Sequence, residues 1–223
     1  MILEINGAMS NLGFNQRFEQ KKVVTPVPIM PVETVAPNAD IVTDDAEKTS
    51  AFYTYEKEPW LNTSGPDAAR TRKGFIEEQL MAAMTALRKM EQSYTAFRKQ
   101  LVSLNPELAK KNFGFTLDKN TALKVTDPQM TLTDQEKNWL TIAFNDSNVL
   151  KDNVHRHAKA AMTLVDHYTE QFGNRYNLSL DNFHKTIDYA KLFDGKNNLM
   201  QNWINQVHAE AEKRTSEKID IEV

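Results

Sequence analysis

The sequence predicts a mainly α protein with a minor β part: a helical bundle built on one long helix, with a small antiparallel hairpin beside it. Three observations carry this reading. Between Phe75 and Leu104, the residues Leu80, Met84, Leu87, Met90, Tyr94, Phe97, Leu101 and Leu104 recur three or four positions apart, the spacing of a helix buried along one stripe. At Phe113, Phe115 and Leu117, and again at Leu123 and Val125, the period drops to two, which is strand spacing. From Thr133 the helical spacing returns and holds to about residue 213.

Residues 1–58 form the first segment. Pro26, Pro28, Pro31 and Pro37 sit among Val, Thr and Ala with no helical or strand period, and an acidic, polar run follows from Asp40 to Ser50. Proline at that density removes backbone donors and favours extended chain, so a disordered or extended arm is expected. If the arm orders on a partner, Phe14, Phe18 and Ile29 are its apolar anchors. Some residues of the aromatic cluster Phe52, Tyr53, Tyr55 and Trp60 are expected to dock on the folded body and end the arm there.

Residues 59–223 read as an α-rich folded domain. Ser64-Gly65-Pro66-Asp67 is a turn leading into a helix, with proline in the first turn and an acid at its positive end. The long helix is expected over about 67–103, until Asn105-Pro106 breaks it. The hairpin is expected over about 113–126, turning at Asp118-Lys119-Asn120 and ending at Asp127-Pro128. Two strands alone are marginal in water, so the hairpin needs a third strand or a helix. Ile219, Ile221 and Val223 alternate with acids, which makes 219–223 the candidate third strand.

Thr133-x-x-Glu136 is a capping box, followed by Trp139, Leu140, Ala143 and Phe144 on one face. After Asn145-Asp146-Ser147 a second stripe runs from Leu150 through His157 and Val165 to Phe172, with Gly173 placed as its C-terminal cap. A third helix is expected from Ser179 to about Gly195, with Phe183, Ile187, Ala190 and Phe193 inward. A fourth begins at Leu199 and fades into the charged segment after Glu210.

Composition narrows the function classes. The apolar share of 40% and mean hydropathy of −0.57 fall a little under ordinary globular values, as expected if part of the chain lies outside a core. The formal net charge is −3, with no basic excess to favour nucleic acid or an anionic membrane. The doublets Arg72-Lys73, Arg88-Lys89, Arg98-Lys99 and Lys110-Lys111 drift around their helix and read as a solvated face. The chain has no cysteine, which excludes disulfides, thiolate ligands and cysteine nucleophiles. No apolar run approaches the ~20 residues that span a bilayer. Without a basic n-region and apolar h-region at the start, the expected location is the cytoplasm, or an export route without a cleaved signal peptide.

The chemistry-bearing residues form no constellation in sequence. His155 and His157 lie about 200° apart on a helix, and no His-x-x-x-His occurs. His184 and Asp188 share a face at i, i+4, a pair that is more often a surface hydrogen bond than half a metal site. Asp118 and Asp127 fall where turn chemistry accounts for them. Phosphate-cradling glycine motifs are absent, and Asp194 to Asn198 lacks the ligand pattern of a calcium loop.

No cofactor, metal or small-molecule ligand is implied, and no catalytic residue stands out. The reading favoured is an interaction or scaffold protein, with another protein or a second copy of the chain as partner. Its surface candidates are Phe14, Phe18 and Ile29 in the arm. Met81, Met84, Met90 and Tyr94 on the long helix are the candidates for an adaptable groove, with core packing the favoured account of the row. The alternatives are an enzyme using dispersed His155, His167 and His184 with nearby acids, and a nucleic-acid-associated protein.

Overall fold

The computed structural model describes residues 51–62, 71–193 and 198–214. The expected arm anchors Phe14, Phe18 and Ile29, the turn at Pro66–Asp67, the Asp194–Asn197 loop and the strand at 219–223 lie outside the described residues. The fold is mainly α with minor β. Its helices are α1 (Arg72–Leu104), α2 (Pro106–Ala109), α3 (Asp134–Asp146), α4 (Asn148–His167), α5 (Thr169–Phe172), α6 (Leu180–Thr186), α7 (Tyr189–Leu192) and α8 (Leu199–Glu210). Strands β1 (Gly114–Leu117) and β2 (Leu123–Thr126) form one antiparallel ladder, and β3 (Tyr176–Asn177) and β4 (Glu212–Lys213) another.

The start of α1 is set by Thr71, whose backbone is extended and whose Oγ1 accepts the Gly74 N–H at 3.2 Å. Its 33 residues give a rod of about 50 Å. Pro106 ends it as expected, and Asn105 then caps α2 by accepting the Leu108 N–H at 3.0 Å. The buried stripe Ala83, Leu87, Met90, Tyr94, Phe97 and Leu101 belongs to a helix whose largest interface is with α4. From α4, Leu150, Val154, Ala158, Ala161, Leu164 and Val165 are buried. Three of the residues lining this interface region, Ala83, Ala158 and Ala161, are alanines with no measurable exposure, and short side chains let two helices approach closely.

The hairpin pairs Gly114 with Thr126, Phe115 with Val125, Thr116 with Lys124 and Leu117 with Leu123. Asp118 builds its turn: Oδ1 accepts the N–H groups of Asn120 and Ala122 at 2.8 and 2.9 Å. The sequence suggested one buried face, but all four residues of β1 are buried. Helices cover both sides. On one, Phe115 meets Phe144 of α3 and Tyr189 of α7 at ring distances of 5.1 and 5.3 Å. On the other, Gly114 lies so close to α7 that a Cβ there would sit 2.3 Å from Asp188 Oδ1 and 2.8 Å from the Ala190 Cβ; only glycine fits.

Asn145 of α3 closes the hairpin edge with its amide, accepting from Leu123 N–H at 2.9 Å and donating to Leu123 C=O at 2.7 Å. Helices therefore supply support of the kind that two strands alone need.

Two expected helices are each divided. The stripe from Leu150 to Phe172 breaks at Tyr168 into α4 and α5, and Gly173 ends α5 in the left-handed region at φ 59°. The expected helix from Ser179 to Gly195 breaks at Ile187 and Asp188, both extended. Asp188 caps α7 by accepting the Ala190 N–H at 3.1 Å. Gln206 of α8 holds the break open, its amide bonding both the N–H and the C=O of Asp188 at 2.9 and 3.0 Å. The β3–β4 ladder was not expected at all.

Candidate functional site

The aromatic cluster before α1 lies across the body as a strap, Phe52 to Leu61, ending in one 3-10 turn (Pro59–Leu61). Each ring has a seat on the body, and Tyr55 and Trp60 share one at His167. Phe52 meets His155 edge-on at 5.4 Å, and the Lys159 ammonium lies 5.0 Å from its centre. Tyr53 donates its hydroxyl to Asp166 Oδ2 at 2.7 Å. Tyr55 stacks on His167 at 5.4 Å, and Trp60 meets His167 and Phe75 at 5.9 and 6.3 Å. The residues supplying these seats on α4 are successively four, seven and one apart (155, 159, 166, 167), so the strap follows one flank of that helix.

Asp166 is the pin. Besides Tyr53 it binds the Arg214 guanidinium, and Arg214 also donates Nε–H to Tyr176 C=O at 2.7 Å. One carboxylate thus joins the strap, α4 and the chain after β4. Burial, reinforced by the Asp166 hydrogen bond, pushes the Tyr53 hydroxyl well above its ordinary pKa. His167, under three aromatic rings, has its pKa lowered by burial and is held neutral near pH 7.

Asp166→Ala is expected to cost about 1–3 kcal/mol, since it strands a hydroxyl and a partly buried guanidinium. Limited trypsinolysis reads it: cleavage after Lys57 should come sooner in the variant. Unchanged cleavage would mean that Asp166 does not hold the strap.

The methionine and tyrosine row of α1 divides between surface and core. Met81 is exposed (68%) and Met84 half-buried, but Met90 and Tyr94 are buried. Tyr94 was expected as a surface anchor; it packs against Phe115 and Phe144 and donates its hydroxyl to Phe113 C=O at 2.9 Å. Burial raises its pKa to about 12. The period that placed it with the methionines is the period of the core stripe.

The histidines separate. His155 Nε2 lies 2.8 Å from Thr121 C=O, His167 sits under the strap, and His184 lines a different cleft. His157 is fully buried between Tyr189 and Trp203, with Nδ1 3.0 Å from the Tyr189 hydroxyl. Its Nε2 has no partner among the described residues. Asp127 does the expected turn chemistry, accepting the N–H groups of Thr131 and Leu132 at 3.0 and 3.1 Å.

A cleft of about 580 Å³ opens between the hairpin and the α6–α8 segment. Lys124 and Thr116 of the hairpin line it, facing His184, Lys185, Asp188 and Lys191. Sequence analysis missed this site because its lining comes from five elements, β1, β2, α6, α7 and α8, none bearing a motif. Comparisons of the chain with protein-family models, with curated proteins and with solved structures find no match.

Proposed function

We propose that this protein is an interaction or scaffold protein, acting through its helical body and N-terminal arm without a catalytic centre. The strap is the observation that supports this. Four aromatic residues within nine positions are all seated on the body, at Phe75, His155, Asp166 and His167. That gives the preceding arm a fixed base, and a partner held by the arm a defined tether. Phe14, Phe18 and Ile29 are its anchors for a partner, which is another protein or a second copy of the chain. The same reading places the protein in the cytoplasm, or on an export route that cleaves no signal. Among the described residues, no helix is long and apolar enough to cross a membrane.

The test keeps the chain whole. Affinity capture from the native host is run with the parent and with a Phe14→Ala, Phe18→Ala, Ile29→Ala triple variant, alongside their thermal melts. The proposal expects partners enriched on the parent, at least tenfold depleted on the variant, and identical melting temperatures. Equal recovery on both would remove the arm from recognition. Sedimentation of the parent over a concentration series separates a heterologous partner from self-association.

A further inference from the structure

We propose that the cleft between the hairpin and α6–α8 binds a small polyanion carrying phosphate groups. The register fixes its centre. Thr116 and Lys124 are directly opposed across the β1–β2 ladder, so their side chains leave the same face as close neighbours. That face is the one turned to α6 and α7, where Gly114 and Thr126 meet Asp188. Thr116 is 1% exposed, and its Oγ1 has no hydrogen-bond partner among the described residues. A buried hydroxyl left unpaired is costly. This one lies at the floor of a cleft beside a lysine, where an anion seated on the ammonium would accept its proton.

The charges around the cleft are unequal in availability. Lys124, Lys185 and Lys191 make no ion pair among the described residues, and His184 adds a fourth nitrogen centre. The acids are largely committed to the fold. Asp127 is paired with Lys137 at 3.2 Å and accepts two backbone N–H groups. Asp188 has both oxygens occupied, by Thr126 Oγ1 at 2.9 Å and Ala190 N–H at 3.1 Å. Glu210 alone among the lining acids has a carboxylate with no hydrogen bond or ion pair among the described residues, and it sits on the exposed end of α8. The free donors therefore outnumber the free acceptors, and three lysines suit a ligand with more than one negative charge.

The walls are also fixed in advance. Gln206 clamps the Ile187–Asp188 break at both backbone groups, and Asp188 ties that break to the hairpin through Thr126. The volume, about 580 Å³, falls within the range of small-molecule sites, roughly 300–1,000 Å³. A pre-formed, cation-rimmed cleft with an unsatisfied donor at its floor is built for a ligand that brings acceptors.

The probe is inorganic pyrophosphate, titrated calorimetrically into the full chain at constant ionic strength, with citrate as the carboxylate counterpart. One-to-one binding of pyrophosphate is expected, at least tenfold tighter than citrate. Lys124→Glu should weaken it at least tenfold, whereas Lys89→Glu, on the exposed side of α1, should leave it within twofold. Thr116→Val supplies the second readout. It should weaken binding about five- to tenfold while the ligand-free protein melts no lower than the parent, because the methyl fills the same space without an unpaired hydroxyl. The proposal is overturned if pyrophosphate does not bind, if Lys89→Glu costs as much as Lys124→Glu, or if Thr116→Val binds as tightly as the parent. Equal binding of citrate would remove phosphate as the ligand class.

Discussion

Phe144→Ala is expected to cost about 3–5 kcal/mol of folding stability. Phe144 has no measurable exposure, and its ring meets Phe97 of α1 at 5.0 Å, Phe115 of β1 at 5.1 Å, Tyr94 at 6.3 Å and Phe113 at 6.5 Å. It is where the long helix, the hairpin and α3 share one core. Removing it opens a cavity that rings held by two helices and a ladder cannot close by small shifts. In a chain of this size the loss lowers the melting temperature by roughly 6–20 °C. Ile142→Ala, at a site 49% exposed on the same helix, should stay within about 0.5 kcal/mol. Thermal and urea unfolding of the two variants check this. Equal costs would mean that Phe144 is not a shared core residue.

The second large effect is on pH. His157 is held neutral by burial, its pKa lowered to about 3, whereas in the unfolded chain it titrates near 6.5. The unfolded state therefore binds the proton first as pH falls. The stability tied to His157 is complete above about pH 6.5 and is lost progressively below it, by ~1.4 kcal/mol per pH unit, until the folded form itself protonates. His167 is also lowered by burial and adds to the same slope. Glu136, lowered by its bond from Lys111, and Glu170, held at about 2 by Arg72, act at more acidic pH. Between pH 5 and 6.5 the imidazoles therefore dominate.

Denaturant unfolding at half-unit steps through that window should show stability falling with acidity. His157→Gln should reduce the slope by about one proton even if its stability at pH 7.5 is lower. Identical slopes for variant and parent would contradict a neutral, buried His157.

Much of this architecture is legible in the sequence because local rules and tertiary packing agree. The stripe from Leu87 to Leu101 is buried as its period requires, Asn105-Pro106 ends α1, and Gly173 takes the left-handed cap. The Thr133–Glu136 box forms reciprocally, with Glu136 also reaching Lys111 at 2.7 Å. The misreadings come from periods that survive a break. Phe183, Ile187, Ala190 and Phe193 keep helical spacing across Asp188, so the spacing concealed two short helices where one was expected. The signal available was Asp188 itself, a good cap residue, but nothing in the sequence shows the Gln206 clamp that selects the cap over the helix.

Tyr94 was offered to solvent by the same ambiguity, since a methionine and tyrosine row reads alike as groove or core. The two-residue strands Tyr176–Asn177 and Glu212–Lys213 are too short to show alternation. The cleft was invisible for a related reason: Lys124, Lys185 and Lys191 are ordinary surface lysines until the fold sets them around Thr116.

Native-state hydrogen exchange on the full chain tests most directly whether helices and hairpin form one cooperative body. A shared core predicts that amides of Leu87–Tyr94 in α1, Val154–Leu164 in α4 and the β1–β2 ladder open together, at the free energy of global unfolding. Hairpin amides that exchange several kcal/mol more easily than those of α1 and α4 would contradict it, and would make the hairpin an appendage instead of part of the core.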